Sequence, residues 1–238
     1  MFCFPYAGGG ASIFRHWTAE LPADLEVCAV SLPGREDRWN EQPYRHLGPL
    51  IEAMTGAFGS FLDAPFAFFG HSMGALIAFE LARQLRRSYR TIPVRLFVSA
   101  ARAPHQPDAE PPIHHLPEPL FLKRLRHYQG VPGEVWDNPE YMKLVLPTIR
   151  ADFSICETYR YYAEYPLECP ISAFGADQDR KVRRQDVIGW RNETQGGFQV
   201  RIFPGDHFFL KNSRKGLLEA IVDDLLPILR YLRHGQHA

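Results

Sequence analysis

Residues 66–82 read FAFFGHSMGALIAFELA, and this stretch decides the fold. The apolar run 66–69 has the composition of a buried strand, and 75–82 has that of a helix. Between them lies the G-x-S-x-G pattern of a nucleophile elbow, in which a serine occupies a sharp turn from strand to helix. The flanking glycines leave room for the chain to reverse, because they carry no Cβ. We therefore predict that Ser72 presents its hydroxyl as a nucleophile; a glycine-rich turn without chemistry is the alternative.

Other short apolar runs alternate with stretches that have the length and spacing of amphipathic helices. The runs are continuously apolar, which is typical of parallel strands buried on both faces. We therefore predict an α/β fold with a mostly parallel central sheet and helices on both faces. The predicted strands lie at 2–4, 27–30, 66–69, 96–100, 171–174 and 200–203, and the predicted helices at about 12–20, 46–62, 73–87, 183–194 and 213–232. Pro227 is expected to kink or interrupt the last helix.

The segment 101–170 is too long for a simple crossover between two strands. It begins with a proline-rich stretch, and its pattern predicts helices at 120–128 and 140–162. An insertion of this length at the carboxyl edge of a sheet is typical of a lid or a pocket wall. We predict one domain over residues 1–238, with 101–170 as a helical lid insertion. A structural elaboration remote from the site is the alternative.

The composition argues against several classes of function. Lys and Arg number 27, as do Asp and Glu, so no net field attracts nucleic acid or an anionic membrane. The chain shows neither a leader pattern nor an apolar run long enough to span a bilayer. The four cysteines form no C-x-x-C pair and no metal-ligand spacing, which predicts free thiols in a reducing compartment; they are Cys3, Cys28, Cys156 and Cys169. We expect a cytoplasmic protein.

A serine nucleophile needs an imidazole base within hydrogen-bond distance. Among ten histidines, His207 follows the last predicted strand and precedes the final helix, where α/β-hydrolases carry their base. His71 is adjacent to Ser72 in sequence, but its side chain is expected to point away from the serine hydroxyl. His114 and His115 lie in the insertion and remain second candidates. We predict that His207 is the base.

A carboxylate is needed to orient that imidazole and to stabilise its cation. The loop after the strand 171–174 contains two, Asp177 and Asp179. Asp177 is only three residues beyond Phe174 and belongs to the turn, whereas Asp179 lies deeper in the loop. We therefore favour Asp179 and keep Asp177 as the alternative. Two solvated turn residues without a role in the site are the third possibility.

Acyl transfer also requires backbone N–H donors for the oxyanion of the tetrahedral intermediate. One donor is normally the residue after the nucleophile, here Met73. The second is expected from the glycine-rich loop Pro5–Gly10 after the first strand, and we choose the N–H of Ala7. The match of this segment to a phosphate-binding loop is weak, because it lacks a complete G-x-x-x-x-G-K-[ST] or G-x-G-x-x-G pattern.

Nearly the whole chain resembles the type II thioesterases of polyketide and nonribosomal peptide pathways, including fatty-acid chain-terminating relatives. The matching segments are FCFPYAGGGAS (2–12), VSLPGREDR (30–38), FAFFGHSMGALIAFELAR (66–83), LFVSAARAPH (96–105), LPEPLFLKRL (116–125), LPTIRADF (146–153), ISAFGADQD (171–179) and FPGDHFFL (203–210). Two differences stand out. Ala176 replaces a glycine that is usual in the family, and members usually carry residues before the first segment. The sheet is therefore expected to lack the N-terminal strands of the superfamily.

The resemblance implies an α/β-hydrolase fold with Ser72 as nucleophile, His207 as base and Asp179 as its orienter. The amides of Ala7 and Met73 would form the oxyanion hole. It further implies hydrolysis of acyl thioesters bound through phosphopantetheine to acyl or peptidyl carrier proteins, typically to clear stalled or wrongly primed units. Neither a metal nor a cofactor is required, and neither nucleic acid nor a membrane is an expected partner.

An acidic carrier protein would favour a basic docking patch near the entrance of the site. The candidates are the basic runs 83–90 and 123–126, although solvated helix faces explain them more simply.

Two other functions use the same scaffold. A general carboxylesterase or lipase needs the same triad and differs in pocket and partner. A non-catalytic module would bind an acyl group or a synthase, although the intact serine, aspartate and histidine argue against it.

Overall fold

The central element of the fold is a six-stranded sheet in which all neighbouring strands are parallel. A computed structural model describes residues 1–108, 110–127, 131 and 133–235. The strands are β1 (Phe2–Phe4), β2 (Cys28–Ala29), β3 (Ala67–His71), β4 (Arg95–Ser99), β5 (Ile171–Ala176) and β6 (Phe198–Phe203). Across the sheet they follow the order β2-β1-β3-β4-β5-β6. The prediction of an α/β fold with a mostly parallel sheet is confirmed.

Helices cover both faces of this sheet. They are α1 (Leu47–Phe58), α2 (Met73–Tyr89), α3 (Glu118–His127), α4 (Gly133–Trp136), α5 (Pro139–Thr158), α6 (Arg184–Ile188), α7 (Phe209–Asn212) and α8 (Arg214–Gly235). Successive strand residues point to opposite faces, so Phe68 packs in one hydrophobic cluster with α1 and α2, and Phe69 packs in another with α8. Among the described residues, no helix combines the length and the apolar character that a membrane span requires.

Two of the predicted helices differ from the structure. The stretch 12–20 contains one 3-10 turn, Ala11–Phe14, followed by turns that are not helical. Here the rings of Phe14 and Trp17 pack on Phe69, with centroids 6.0 and 4.8 Å away, and this anchoring sets the path of the chain. The stretch 183–194 divides into α6, which ends at Ile188, and a 3-10 helix that begins at Gly189.

The last helix is not interrupted at Pro227. Helix α8 continues through this residue, although a proline inside a helix removes an N–H donor and costs about 3 kcal/mol. Pro227 is exposed, whereas Leu225 and Leu229 on either side of it are buried in the cluster beneath the helix. Burial of the apolar face therefore outweighs the local cost of the proline.

The strand order creates a crevice at the carboxyl edge of the sheet. From β1 the chain passes to β2 on one side and then crosses back to β3 on the other side. In open parallel sheets, ligands bind outside the carboxyl ends of the strands at such a reversal. The loop that begins at Pro5 follows β1, and the turn at Ser72 follows β3. Both segments therefore lie at this crevice.

The insertion between β4 and β5 has a small hydrophobic core of its own, which includes Ile113, Phe121, Leu125, Val131, Met142, Leu146, Ile149 and Phe153. Helix α3 begins before the predicted position, at Glu118, and α5 ends at Thr158 rather than at residue 162. The second half of α5 is largely buried, and its Ile155 belongs to the main core. Helix α5 therefore connects the insertion to the body of the protein.

We predict that Gly74→Ala destabilises the protein. A Cβ at this position would lie 2.1 Å from the carbonyl oxygen of Phe4, so α2 would have to move away from β1. Overpacking of this kind lowers the free energy of unfolding by about 1–3 kcal/mol or more. Denaturant unfolding measures the loss.

The control for this prediction is Gly56→Ala in α1. An added Cβ there meets no atom within 4 Å, so the substitution introduces no clash. Alanine in an exposed helix interior should raise the free energy of unfolding by about 0.5–1 kcal/mol relative to glycine. If Gly74→Ala were as stable as the parent protein, the close contact between α2 and β1 would be disproved.

Candidate active site

Ser72 occupies a strained turn between β3 and α2. Its backbone angles are φ 54° and ψ −115°, in a region that side chains other than glycine rarely adopt. The Ser72 N–H donates to the carbonyl oxygen of Ser99 at 2.7 Å, which ties the turn to β4. An added Cβ on Gly70 would lie 2.1 Å from the carbonyl oxygen of Gly74, so the turn is closed too tightly for a side chain there. The geometry is that of the predicted nucleophile elbow.

The structure brings together the three residues predicted to form the triad. His207 Nε2 lies 3.0 Å from Ser72 Oγ, and His207 Nδ1 lies 2.8 Å from Asp179 Oδ2. His207 and Asp179 are buried, and Ser72 is half-buried. A single imidazole, that of His207, therefore joins the partly accessible hydroxyl of Ser72 to the buried carboxylate of Asp179.

The second oxygen of Asp179 is held by the backbone of its own loop. Oδ1 accepts the N–H groups of Lys181 and Val182 at 2.8 and 3.0 Å. Burial by itself raises the pKa of Asp179, but the hydrogen bond and charge of His207 together with these N–H donors lower it below its usual value. Asp179 is therefore held as a carboxylate that orients His207.

Asp177, the alternative carboxylate, is exposed and does not contact the imidazole within the described structure. Its Oδ1 accepts the N–H of Gly205 at 2.9 Å, two residues before His207. Gly205 has φ 125°, which favours glycine, so this bond supports an unusual turn. Asp177 thus braces the loop that carries His207. Sequence spacing alone does not show this bond.

His71 supports the site from behind the elbow. Its Nε2 lies 2.8 Å from the carbonyl oxygen of His207, which can only accept, so Nε2 carries the proton and donates. Nδ1 then accepts the hydroxyl of Ser99 at 2.9 Å. Burial and the neighbouring charge of His207 together lower the pKa of His71 to about 3, so the ring is neutral. The sequence signal for this role is an imidazole within β3, whose residues are all buried.

The two residues predicted as oxyanion donors lie on segments that meet at the crevice. Phe4 is paired in register with Gly70, and Gly74 packs on the Phe4 carbonyl, so the elbow touches the end of β1. Ala7 follows three residues after Phe4. Met73 is the first residue of α2, where backbone N–H groups have no partner within the helix. The oxyanion role of the Ala7 and Met73 N–H groups stays a prediction, and these contacts bring the two segments that carry them together.

A cleft of about 480 Å³ opens over Ser72. Its walls come from the elbow, the loop after β4, the end of α5 with the segment that follows it, and the loop after Asp179. Apolar and charged side chains both line it, among them Met73, Leu76, Ala101, Cys156, Glu157, Tyr159, Tyr161, Lys181 and Val182. An acyl group attached to a longer arm can reach the serine through this cleft.

Other polar residues from the sequence analysis have structural contacts. All four cysteines are free, and burial raises the pKa of Cys156 to about 12, so this thiol in the cleft wall is not a nucleophile. His114 Nδ1 lies 2.6 Å from Glu157 within the insertion, and His115 packs beside His114. In the described part of the chain, no cluster of three or more metal-ligating side chains occurs.

The basic run 83–90 is solvated in part, since Arg87 and Arg90 are exposed. Arg83 is buried, and Arg83, Arg86 and Arg87 all form ion pairs with Glu164. Arg86 also donates to the carbonyl oxygens of residues 165 and 166. These cations therefore attach the segment after α5 to α2.

Comparison with known proteins places this chain in a family. The family model for a thioesterase domain matches residues 1–228. The gramicidin S biosynthesis protein GrsT of Aneurinibacillus migulanus is 44% identical over 229 residues, which are 96% of this chain and 90% of that protein. RedJ, a thioesterase from the prodiginine pathway of Streptomyces coelicolor, has a TM-score of 0.86 at 40% identity, covering 92% of this chain and 87% of its own. YbtT, a type II thioesterase from the yersiniabactin pathway, has a TM-score of 0.82 at 32% identity, covering 93% and 90%.

We predict that Asp179→Asn lowers kcat by about 10³–10⁴-fold, because an amide favours the wrong tautomer of His207. Asp177→Asn is the matched control. It keeps an oxygen that can accept from Gly205 and should change kcat little. Steady-state hydrolysis by both variants measures the difference, and a larger loss in Asp177→Asn would reverse the assignment of the two carboxylates.

We also predict that His71 makes stability depend on pH. The pKa of His71 is about 3 in the folded protein, whereas a histidine in an unfolded chain has a pKa of about 6.5. The unfolded chain therefore binds a proton that the folded protein does not. The contribution of neutral His71 to the free energy of unfolding is fully present above pH 6.5. It is lost as the pH falls toward 3, by at most about 1.4 kcal/mol per pH unit. Urea unfolding from pH 7.5 to pH 4 should show a steeper loss in the wild type than in His71→Gln.

The control for this pH dependence is His16→Gln, since His16 is exposed whereas His71 is fully buried. This variant should keep the steep dependence of the wild type. Parallel curves for the wild type and His71→Gln would show that His71 is not the group that takes up the proton.

Proposed function

The chain belongs to the thioesterase domain family, and we propose that it hydrolyses acyl thioesters held on the phosphopantetheine arm of acyl or peptidyl carrier proteins. It would clear stalled or wrongly primed acyl units during polyketide or nonribosomal peptide synthesis. The observation that carries the proposal is the hydrogen-bond chain from Ser72 through His207 to Asp179, which opens into a cleft of about 480 Å³. RedJ and YbtT are described as thioesterases, which supports the thioester substrate, and the name of GrsT assigns that relative to gramicidin S biosynthesis.

Acylation begins when His207 Nε2 accepts the hydroxyl proton of Ser72 and Oγ attacks the thioester carbonyl carbon. The carbonyl oxygen becomes an oxyanion, which accepts hydrogen bonds from the N–H groups of Ala7 and Met73. Asp179 stabilises the imidazolium that forms. The intermediate then collapses: the carbon–sulfur bond breaks, His207 returns the proton to sulfur, and the acyl group stays on Ser72.

Deacylation repeats these steps with water. His207 Nε2 accepts a proton from a water molecule, and the resulting oxygen nucleophile attacks the acyl carbon. The bond from the acyl carbon to Ser72 Oγ breaks, the proton returns to Oγ, and the free acid leaves. The protein is restored without a metal or a cofactor in any step.

The end of the insertion covers the cleft in this proposal. Cys156, Tyr159 and Tyr161 come from the end of α5 and the segment after it, and they line the cleft above Ser72. The pantetheine arm of a carrier would then pass between this cover and the loop after β4. The four free cysteines fit a reducing compartment, and we place the reaction in the cytoplasm.

The proposed function predicts a preference for thioesters on carriers. With acyl groups of equal length, kcat/KM should decrease in the order acyl-carrier protein, acyl-pantetheine, oxygen ester. Release of free thiol and of acid, measured separately, gives the three values. Faster hydrolysis of the oxygen ester by a large factor would indicate a general carboxylesterase instead.

The control for these rates is Ser72→Ala. Removal of the nucleophile should abolish turnover while leaving the unfolding transition in place, because the hydroxyl is at the cleft and not in the core. A folded wild-type protein that neither turns over any of the three substrates nor reacts with a fluorophosphonate would indicate a non-catalytic binding module.

A further inference from the structure

Two segments that the triad does not use meet in the interior of the protein. Arg35 belongs to the LPGRE segment, and Asp152 belongs to the RADF segment on α5. The guanidinium and the carboxylate form two parallel hydrogen bonds, Nη1 to Oδ2 and Nη2 to Oδ1, both at 2.8 Å. The side chains are only 8% and 1% exposed. A buried pair with this geometry is directional as well as strong.

Both members of this pair also bind the loop after β1. The N–H of Gly8 donates to Asp152 Oδ2 at 2.7 Å, and Arg35 Nη1 donates to the carbonyl oxygen of Gly9 at 2.9 Å. Gly8 has φ 76°, and an added Cβ there would lie 2.8 Å from Ile149 of α5. Two consecutive residues directly after Ala7 are therefore fixed to the ion pair.

The loop transmits this position to the N–H of Ala7. Gly9 N–H donates to the carbonyl oxygen of Tyr6 at 2.9 Å. That carbonyl and the Ala7 N–H belong to the same peptide group, which is planar and trans, so they point in opposite directions. Fixing Gly9 thus fixes the direction in which Ala7 can donate.

Glu36, the residue after Arg35, adds further hydrogen bonds at the end of the same loop. Glu36 accepts the N–H groups of Ala11 and Ser12 at 2.8 and 3.1 Å. Beside them, a cavity of about 410 Å³ is lined by residues 7–10 and by Arg35. Ala7 packs against two hydrophobic clusters, but the cavity leaves one side of the loop open, so the polar contacts add to packing in setting its position.

We propose that Arg35 and Asp152 are positioning residues that aim the N–H of Ala7 at the oxyanion. The inference rests on the proposed function of Ala7 as an oxyanion donor. The pair acts through the loop and touches neither the acyl group nor Ser72. It also ties the insertion to the oxyanion hole, because Asp152 lies on α5. A displaced donor weakens binding of the transition state more than binding of the substrate.

The test compares Asp152→Asn and Arg35→Lys with the wild type. Loss of one oxyanion donor costs about 10²–10³-fold in kcat, so a misaimed donor should cost about 10–100-fold with KM nearly unchanged. Binding of a trifluoromethyl ketone, which adds to Ser72 as an anionic tetrahedral adduct, should weaken by the same factor. Binding of a non-hydrolysable thioether should not change. The double variant should lose no more than the worse single variant.

The matched control is Asp224→Asn. Asp224 forms an equally directional pair with Arg201, at 2.7 and 2.8 Å, but this pair joins β6 to α8. Its loss should lower the unfolding midpoint and leave the ratio of ketone to thioether affinity unchanged. If Asp152→Asn and Arg35→Lys behave in the same way as Asp224→Asn, the pair only supports the fold and the proposal is overturned.

An activated oxygen ester separates this proposal from the proposed function. Hydrolysis of p-nitrophenyl acetate also passes through an oxyanion, whatever the natural substrate. A wild type that cleaves this ester and not acyl-carrier thioesters would refute the thioesterase proposal alone. The variants should still lose ester hydrolysis about 10–100-fold. If their ester hydrolysis and ketone affinity both match the wild type, the positioning role is refuted.

Discussion

The turn at Ser72 packs directly against the end of β1, and this contact positions the groups around the serine. Gly74 lies against the carbonyl oxygen of Phe4, and Gly70 lies against the backbone of Gly74. Without side chains at these two positions, the chain can turn at Ser72 with a positive φ. The same contact brings the loop after β1 beside the serine. One packing contact therefore positions both Ser72 and the loop that carries Ala7, the proposed oxyanion donor.

Burial and neighbouring charges give the titratable groups around the serine different roles. His207 and its neighbour His71 are both buried, but only His207 faces a carboxylate. His71 lacks a negative partner, so burial keeps it neutral, and it holds the carbonyl oxygen of His207 in place. Asp179 stays ionised despite burial because backbone N–H groups and His207 bind it. His207 therefore lies between the serine and a carboxylate, and His71 fixes the backbone of His207.

Much of the fold and the site could be predicted from sequence because the signals are local. The apolar run, the glycines around Ser72, and the positions of Asp179 and His207 after strands all lie within short segments. The failures have tertiary causes. Aromatic anchoring on Phe69 replaces the helix expected at 12–20, and burial of Leu225 and Leu229 carries α8 through Pro227. The pair of Arg35 and Asp152 joins residues 117 apart, which no local pattern specifies.

The most direct test of the central claim is to trap the acyl-enzyme and locate its acyl group. An acyl-carrier thioester is mixed with the protein, the reaction is quenched in acid within the first turnover, and the digest is analysed by mass spectrometry. We expect the acyl mass on the peptide that contains Ser72, and much slower formation of this adduct in His207→Ala. An acyl group on a different residue, or release of acid at the normal rate by Ser72→Ala, would contradict this expectation.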